Sequence, residues 1–193
     1  KKLRCLDVCN EVRIIPNGVN PRQLRSIPPS TESFDIIFVG RLIKEKHVDV
    51  LIRSFAVLLP GSPNRTLLIL GDGPERDAIR SLVVNLAIED RVFFKSFLDS
   101  HEEVISLMKS SHICVIPSTR EGFGIAALEA LACGLPVVTA DHTDNAIGEL
   151  VTGETGFLSS LSIDDLADTI RAALLKYPEM KSACVSSAEA YDW

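Results

Sequence analysis

The sequence predicts an α/β fold: one doubly wound parallel sheet with helices on both faces. Three observations predict it. Apolar runs of strand length recur along the 193 residues, most of them lack the strict alternation of a half-exposed strand, and amphipathic segments of helical period separate them. Continuous apolar runs suit strands covered on both faces. Their alternation with helices is the pattern of parallel strands joined by crossover connections.

The elements follow in order. "VRIIP" (12–16) is the first apolar run, and "RQLRSIPPSTES" (22–33), rich in proline and serine, reads as a loop within one domain. "DIIFVG" (35–40) leads to the helix "VDVLIRSFAVLL" (48–59), with Val48, Leu51, Ile52, Phe55 and Leu59 on one stripe. "TLLILG" (66–71) leads to "ERDAIRSLVVNLAI" (75–88), striped by Ile79, Leu82, Val83 and Leu86. "RVFFK" (91–95) precedes the helix "EEVISLMKS" (102–110), and "HICVIP" (112–117) precedes "GFGIAALEALAC" (122–133). "LPVVTA" (135–140) is the last apolar run. A helix over 162–177 and a separate final one near 178–191 complete the chain, with Asp164 and Asp165 as capping residues. This alternation is Rossmann-like, and residues 1–193 read as one domain without repeats or low-complexity tracts.

Bulk properties narrow the function. The net charge of −6 excludes a general attraction for nucleic acid or anionic lipid, so a bound anion must be met by local cations. No apolar run approaches the roughly 18 residues of a membrane span, and no signal peptide is visible. The five cysteines, Cys5, Cys9, Cys114, Cys133 and Cys184, are odd in number and scattered, which suits neither a disulfide framework nor a zinc ribbon. Cys114 and Cys133 lie in apolar runs and read as small core residues. A reduced, cytoplasmic setting is expected.

Ligands of such sheets bind outside the carboxyl ends of the strands, which singles out the loops after 40, 71 and 117. "GDGPERDAIR" after 71 begins like a dinucleotide fingerprint, but Arg76 stands where the third glycine belongs. A tight turn with Asp72 near the helix start is the preferred reading. In "GRLIKEKHVD", Gly40 permits a close backbone approach, and Arg41 and Lys46 place two cations beside a helix N-terminus, a combination suited to a diphosphate. In "PSTREGFG", Gly122 and Gly124 let the backbone N–H groups near Phe123, Gly124 and Ile125 face an anion. The helix beyond is apolar nearly all round except for Glu129, a buried carboxylate that needs a partner: an arginine, a lysine, or ligand hydroxyls. Glu121 and Glu129 are eight positions apart, about 12 Å along a helix, too far for a glycosidase pair. Each suits a different part of one extended ligand.

Taken together, these residues resemble the donor half of group-1 (family 4) retaining glycosyltransferases, which have two facing Rossmann-like domains. "VRIIPNGVN", "FVGRLIKEKHVDVLIRSFAVL", "LLILGDGPERDAI" and "EGFGIAALEALACGLPVV" fall in that family's order over almost the whole chain. The resemblance implies that Arg41 and Lys46 clamp the diphosphate of a nucleotide-sugar, with Gly40 in the phosphate-binding loop. It implies that Glu121 is the catalytic carboxylate facing the donor sugar and that Phe123, Gly124 and Ile125 bring backbone to sugar and phosphate. Glu129 then receives the ribose hydroxyls, and the loop at Ser96 and Phe97 holds the base. The implied reaction is hexosyl transfer to an acceptor with retention, without cofactor or metal. The implied partners are the nucleotide-sugar and an N-terminal acceptor domain missing from this chain, any membrane contact running through that missing half. Alone, the domain is expected to bind donor but to transfer poorly. Where many relatives carry Gly-Gly and a glutamate, this chain has "TADHTDNAIGEL", and no role passes to Asp141, His142 or Asn145. A non-catalytic scaffold and a related epimerase or phosphorylase are the alternatives.

Overall fold

The structure, a computed structural model, describes residues 17–96 and 98–192. The run at 12–16, Cys5, Cys9 and Phe97 lie outside the described residues. Six strands, β1 (Phe34–Val39), β2 (Leu67–Leu70), β3 (Val92–Lys95), β4 (Ser111–Ile116), β5 (Val137–Ala140) and β6 (Gly156–Ser159), form one sheet in the order β3-β2-β1-β4-β5-β6. Every pairing is parallel. The order reverses at β1, so the chain leaves toward β2 on one side and toward β4 on the other, and a crevice opens between the β1 and β4 loops. All residues of β2 and β5 are buried, which is why their sequences are apolar without alternation.

Two layers cover the sheet. One holds α2 (Val48–Leu58), α3 (Arg76–Asn85) and the first half of α6 (Ile163–Glu189), packed through Leu51, Phe55, Ile79, Val83, Leu166 and Ile170. The other holds α1 (Pro21–Ser26), α4 (His101–Lys109), α5 (Ile125–Ala132) and the second half of α6, packed through Leu24, Ile105, Met108, Leu128, Met180 and Cys184. The long α6 therefore passes from one layer to the other. Tyr177, midway along it, stacks on His112 near the start of β4, with ring centroids 4.4 Å apart, so the crossing runs beneath the amino ends of the strands.

The structure departs from the sequence-based expectation in four places. The segment 22–33 is not all loop: Asn20 Oδ1 accepts the Gln23 N–H at 3.1 Å and Pro21 starts α1. A sixth strand, β6, follows the last apolar run. The two C-terminal helices are one, continuous through Pro178, whose ring lies on the exposed face. Ser162, rather than Asp164 or Asp165, caps α6 by accepting the Asp165 N–H at 3.2 Å. Asp165 instead accepts from the Ser160 N–H and the Ser159 hydroxyl, and hydrogen bonding with Ser160 first, then Ser159, holds its carboxyl below the usual range.

Candidate functional site

The β1 and β4 loops are knotted together at the crevice. The Thr119 N–H donates to the Glu45 carbonyl at 3.0 Å, and His47 Nε2 meets Thr119 Oγ1 at 2.9 Å. His47 holds φ 47°, left-handed backbone that a non-glycine residue adopts only when its surroundings enforce it. That turn ends the short 3-10 segment Lys44–Lys46 and aims Lys46 across the gap. Lys46 Nζ forms an ion pair with Glu121, and the two side chains are only 14% and 18% exposed. The Ser118 hydroxyl lies 3.4 Å from the same carboxylate. The chain at Glu121 is fixed from its other side by the β5 loop: its N–H donates to the Asp144 carbonyl, and its carbonyl accepts from Ala146. Arg41 lies nearby in the same β1 loop, exposed.

The glycines flanking Glu121 serve different ends. Gly124 is the N-cap of α5 at φ +89°, and a Cβ there would run into Ile147. A Cβ on Gly122 would meet nothing within 4 Å. The first helical bond of α5 runs from the Leu128 N–H to the Gly124 carbonyl, leaving the N–H groups of Ile125, Ala126 and Ala127 without helical acceptors. Ile125 itself is 48% exposed. The Phe123 ring packs edge-on against Tyr191, with ring centroids 5.9 Å apart.

Glu129 lies one turn further along α5, 13% exposed, and its partner is neither arginine nor lysine. His101 Nε2, at the start of α4, stands 3.0 Å from Glu129 Oε1. Burial pushes the Glu129 carboxyl above the usual range, and His101 pulls against that shift. The structure thus keeps the two glutamates apart, each with its own nitrogen partner.

A cavity of about 790 Å³ opens at the carboxyl ends of β1, β2 and β3. Gly40, Arg41, Gly71 and Gly73 line one side, and Ser96, Ser100 and His101 line another. A Cβ on Gly71 would overlap the Gly40 carbonyl, and one on Gly73 would overlap that of Leu42. The "GDG" turn is therefore a close backbone contact between two loops, as the tight-turn reading expects, and Asp72 accepts from Gly73 N–H and Arg76. A second cavity of about 340 Å³ is lined by Arg120, Glu121, Gly122 and Asp144.

Sequence reasoning missed three residues here. His101 gave no signal beyond following a capping serine, because its partner is 28 positions away. His47 is legible only as the residue before the helix. Asn145 is buried: its amide donates to Thr139 Oγ1 and the Ala140 carbonyl, both at 2.8 Å, and its oxygen accepts from the Ile147 N–H. It bolts the β5 loop that supports Glu121.

Fold and site together define a doubly wound α/β domain with its cavities at the carboxyl ends of the strands. The family described as Glycosyl transferases group 1 matches residues 20–190, and the chain belongs to that family. Among curated relatives, the GDP-mannose-dependent alpha-(1-6)-phosphatidylinositol dimannoside mannosyltransferase of Mycobacterium tuberculosis is 30% identical over 159 residues, 82% of this chain and 40% of that protein. Among solved structures, sucrose-phosphate synthase from Thermosynechococcus elongatus matches with a TM-score of 0.81 at 27% identity, over 99% of this chain and 51% of that one. HepE from Anabaena, solved in complex with UDP, matches with a TM-score of 0.76 at 25% identity, over 93% of this chain and 53% of that one. The chain spans less than half the length of the curated relatives it matches. Among the described residues, no helix is long and apolar enough to cross a membrane.

Proposed function

We propose that this chain is the donor half of a retaining glycosyltransferase, binding a nucleoside-diphosphate sugar whose hexosyl group passes to an acceptor held by a further, N-terminal domain. The observation that carries the reading is the meeting of Lys46 and Glu121, 75 positions apart in sequence, where β1 and β4 diverge. A cation and a carboxylate at one point suit a reaction in which a sugar–phosphate bond breaks and the leaving diphosphate gains charge.

In this reading Arg41 and Lys46 meet the diphosphate and act without a metal ion, their contacts strengthening as the bond breaks. The free N–H groups at the start of α5 and the Gly40 backbone add uncharged donors. Glu121 orients the sugar at its anomeric carbon, and Glu129 receives the ribose hydroxyls. The UDP in the HepE complex supports a nucleotide in the matching fold. Buried thiols at Cys114, Cys133 and Cys184 suit a reducing cytoplasm, the compartment assigned in this reading. Donor binding belongs to this chain, and transfer belongs to the two domains together.

Calorimetric titration with UDP, GDP and ADP tests the proposal. One diphosphate is expected to bind, and Lys46→Ala or Arg41→Ala to weaken it about tenfold, the scale of one charge-assisted contact. A folded chain that binds none of the three refutes the reading.

A further inference from the structure

His101 reaches the carboxylate of Glu129 from the cavity side. It is the first residue of α4, its side chain is 60% exposed, and it lines the larger cavity. Among the described residues, the Glu129 carboxylate has no other hydrogen-bond or ion-pair partner. An ionised carboxylate at that depth requires a donor, and one exposed ring supplies it.

We propose that His101, which lines the cavity, is a positioning residue for nucleotide recognition, holding the Glu129 carboxylate in the orientation that receives ribose hydroxyls and making that grip pH-dependent. The proposal rests on the reading of Glu129 as the ribose acceptor. A protonated imidazole donates a charge-assisted bond to Glu129, and a neutral one a weaker bond. The two thiols near Glu129 are held protonated by burial. Cys133 on α5 is pushed up to about 12 by burial, and Cys114 on β4 is pushed up in the same way. Lys109, at the far end of α4, is engaged by the carbonyls of Arg25 and Ile27 at 3.1 and 2.5 Å. Glu102 and Glu103, beside His101 in the first turn of α4, are exposed.

The test uses whichever of UDP, GDP and ADP binds most tightly, together with its 2′,3′-dideoxy counterpart. Both are titrated into wild type, His101→Ala and His101→Gln at about pH 6 and about pH 8. Wild type is expected to prefer the ribose form, more so at the lower pH. His101→Ala is expected to weaken the ribose form about tenfold at the lower pH and to leave the dideoxy form unchanged. His101→Gln, with a neutral donor, restores binding at the higher pH and flattens the profile. Equal binding of both forms by wild type, or of neither, overturns the ribose reading of Glu129 and the role of His101 with it. Discrimination that survives His101→Ala with an unchanged pH profile overturns the role of His101 alone.

Discussion

Lys46 cannot turn fully to a diphosphate without loosening its hold on Glu121, so Glu121→Gln is expected to tighten the binding of a bare nucleoside diphosphate. The pair is 14% and 18% exposed, so solvent and salt screen it less than a surface pair. A hydrogen bond between ionised partners contributes about 1.5–3 kcal/mol, and a bond to a neutral amide about half of that. Lys46 is therefore released more easily by about 1 kcal/mol, roughly fivefold in Kd. Loss of the repulsion between Glu121 and the incoming phosphates adds in the same direction. Ser118, 3.4 Å from the carboxylate, is too weakly placed to take over the glutamate's hold on the lysine. Calorimetry with UDP, GDP and ADP measures the change. The same substitution is expected to reduce the extra affinity contributed by an attached hexose, because the carboxylate that orients the sugar is gone. Unchanged or weaker binding of the bare diphosphate would show that Lys46 meets phosphate without leaving Glu121, and would sink the reasoning.

Two further outcomes concern stability. Gly124→Ala forces a Cβ into Ile147 at a left-handed position and is expected to destabilise the fold by roughly 2–4 kcal/mol, against little change for Gly122→Ala, in urea unfolding. Equal effects at the two glycines would refute the steric account. At Asp35, burial pushes the carboxyl up but is outweighed by Arg65 and Thr66, so the folded group titrates below its unfolded value of about 3.9. Its contribution is full above about pH 4 and is lost as the pH falls through the folded value. Asp35→Asn should lower stability at neutral pH and flatten its acid dependence, and an unchanged acid profile would contradict this.

The sheet was legible because four of its strands, β1, β2, β4 and β5, are buried on both faces along most of their length and written mainly in apolar residues. β6 was not, since "GFLS" is four residues long, begins with glycine and leaves Leu158 45% exposed at the sheet edge. Pro178 suggested a break because proline removes a helical hydrogen bond. Packing on both layers overrides that local penalty, and the proline sits on the solvent side. At the site, the residues with unusual chemistry in unusual company stood out: two cations beside glycine, and a glutamate in an apolar helix. Their pairings did not. Lys46 with Glu121 and His101 with Glu129 arise from strand order, which brings loops far apart in sequence to one end of the sheet.

The contact between the β1 and β2 loops has one more consequence. Gly40, Leu42, Gly71 and Gly73 press carbonyl to Cα, and the Leu42 N–H donates to Asp72 while the Glu75 N–H donates to Leu42. This side of the large cavity is main chain locked to main chain, with few side-chain rotamers to freeze when a guest arrives. A guest settling there orders little besides itself, so the entropy lost on association falls mainly on the ligand and on the exposed side chains around the cavity, Arg41 and His101 among them.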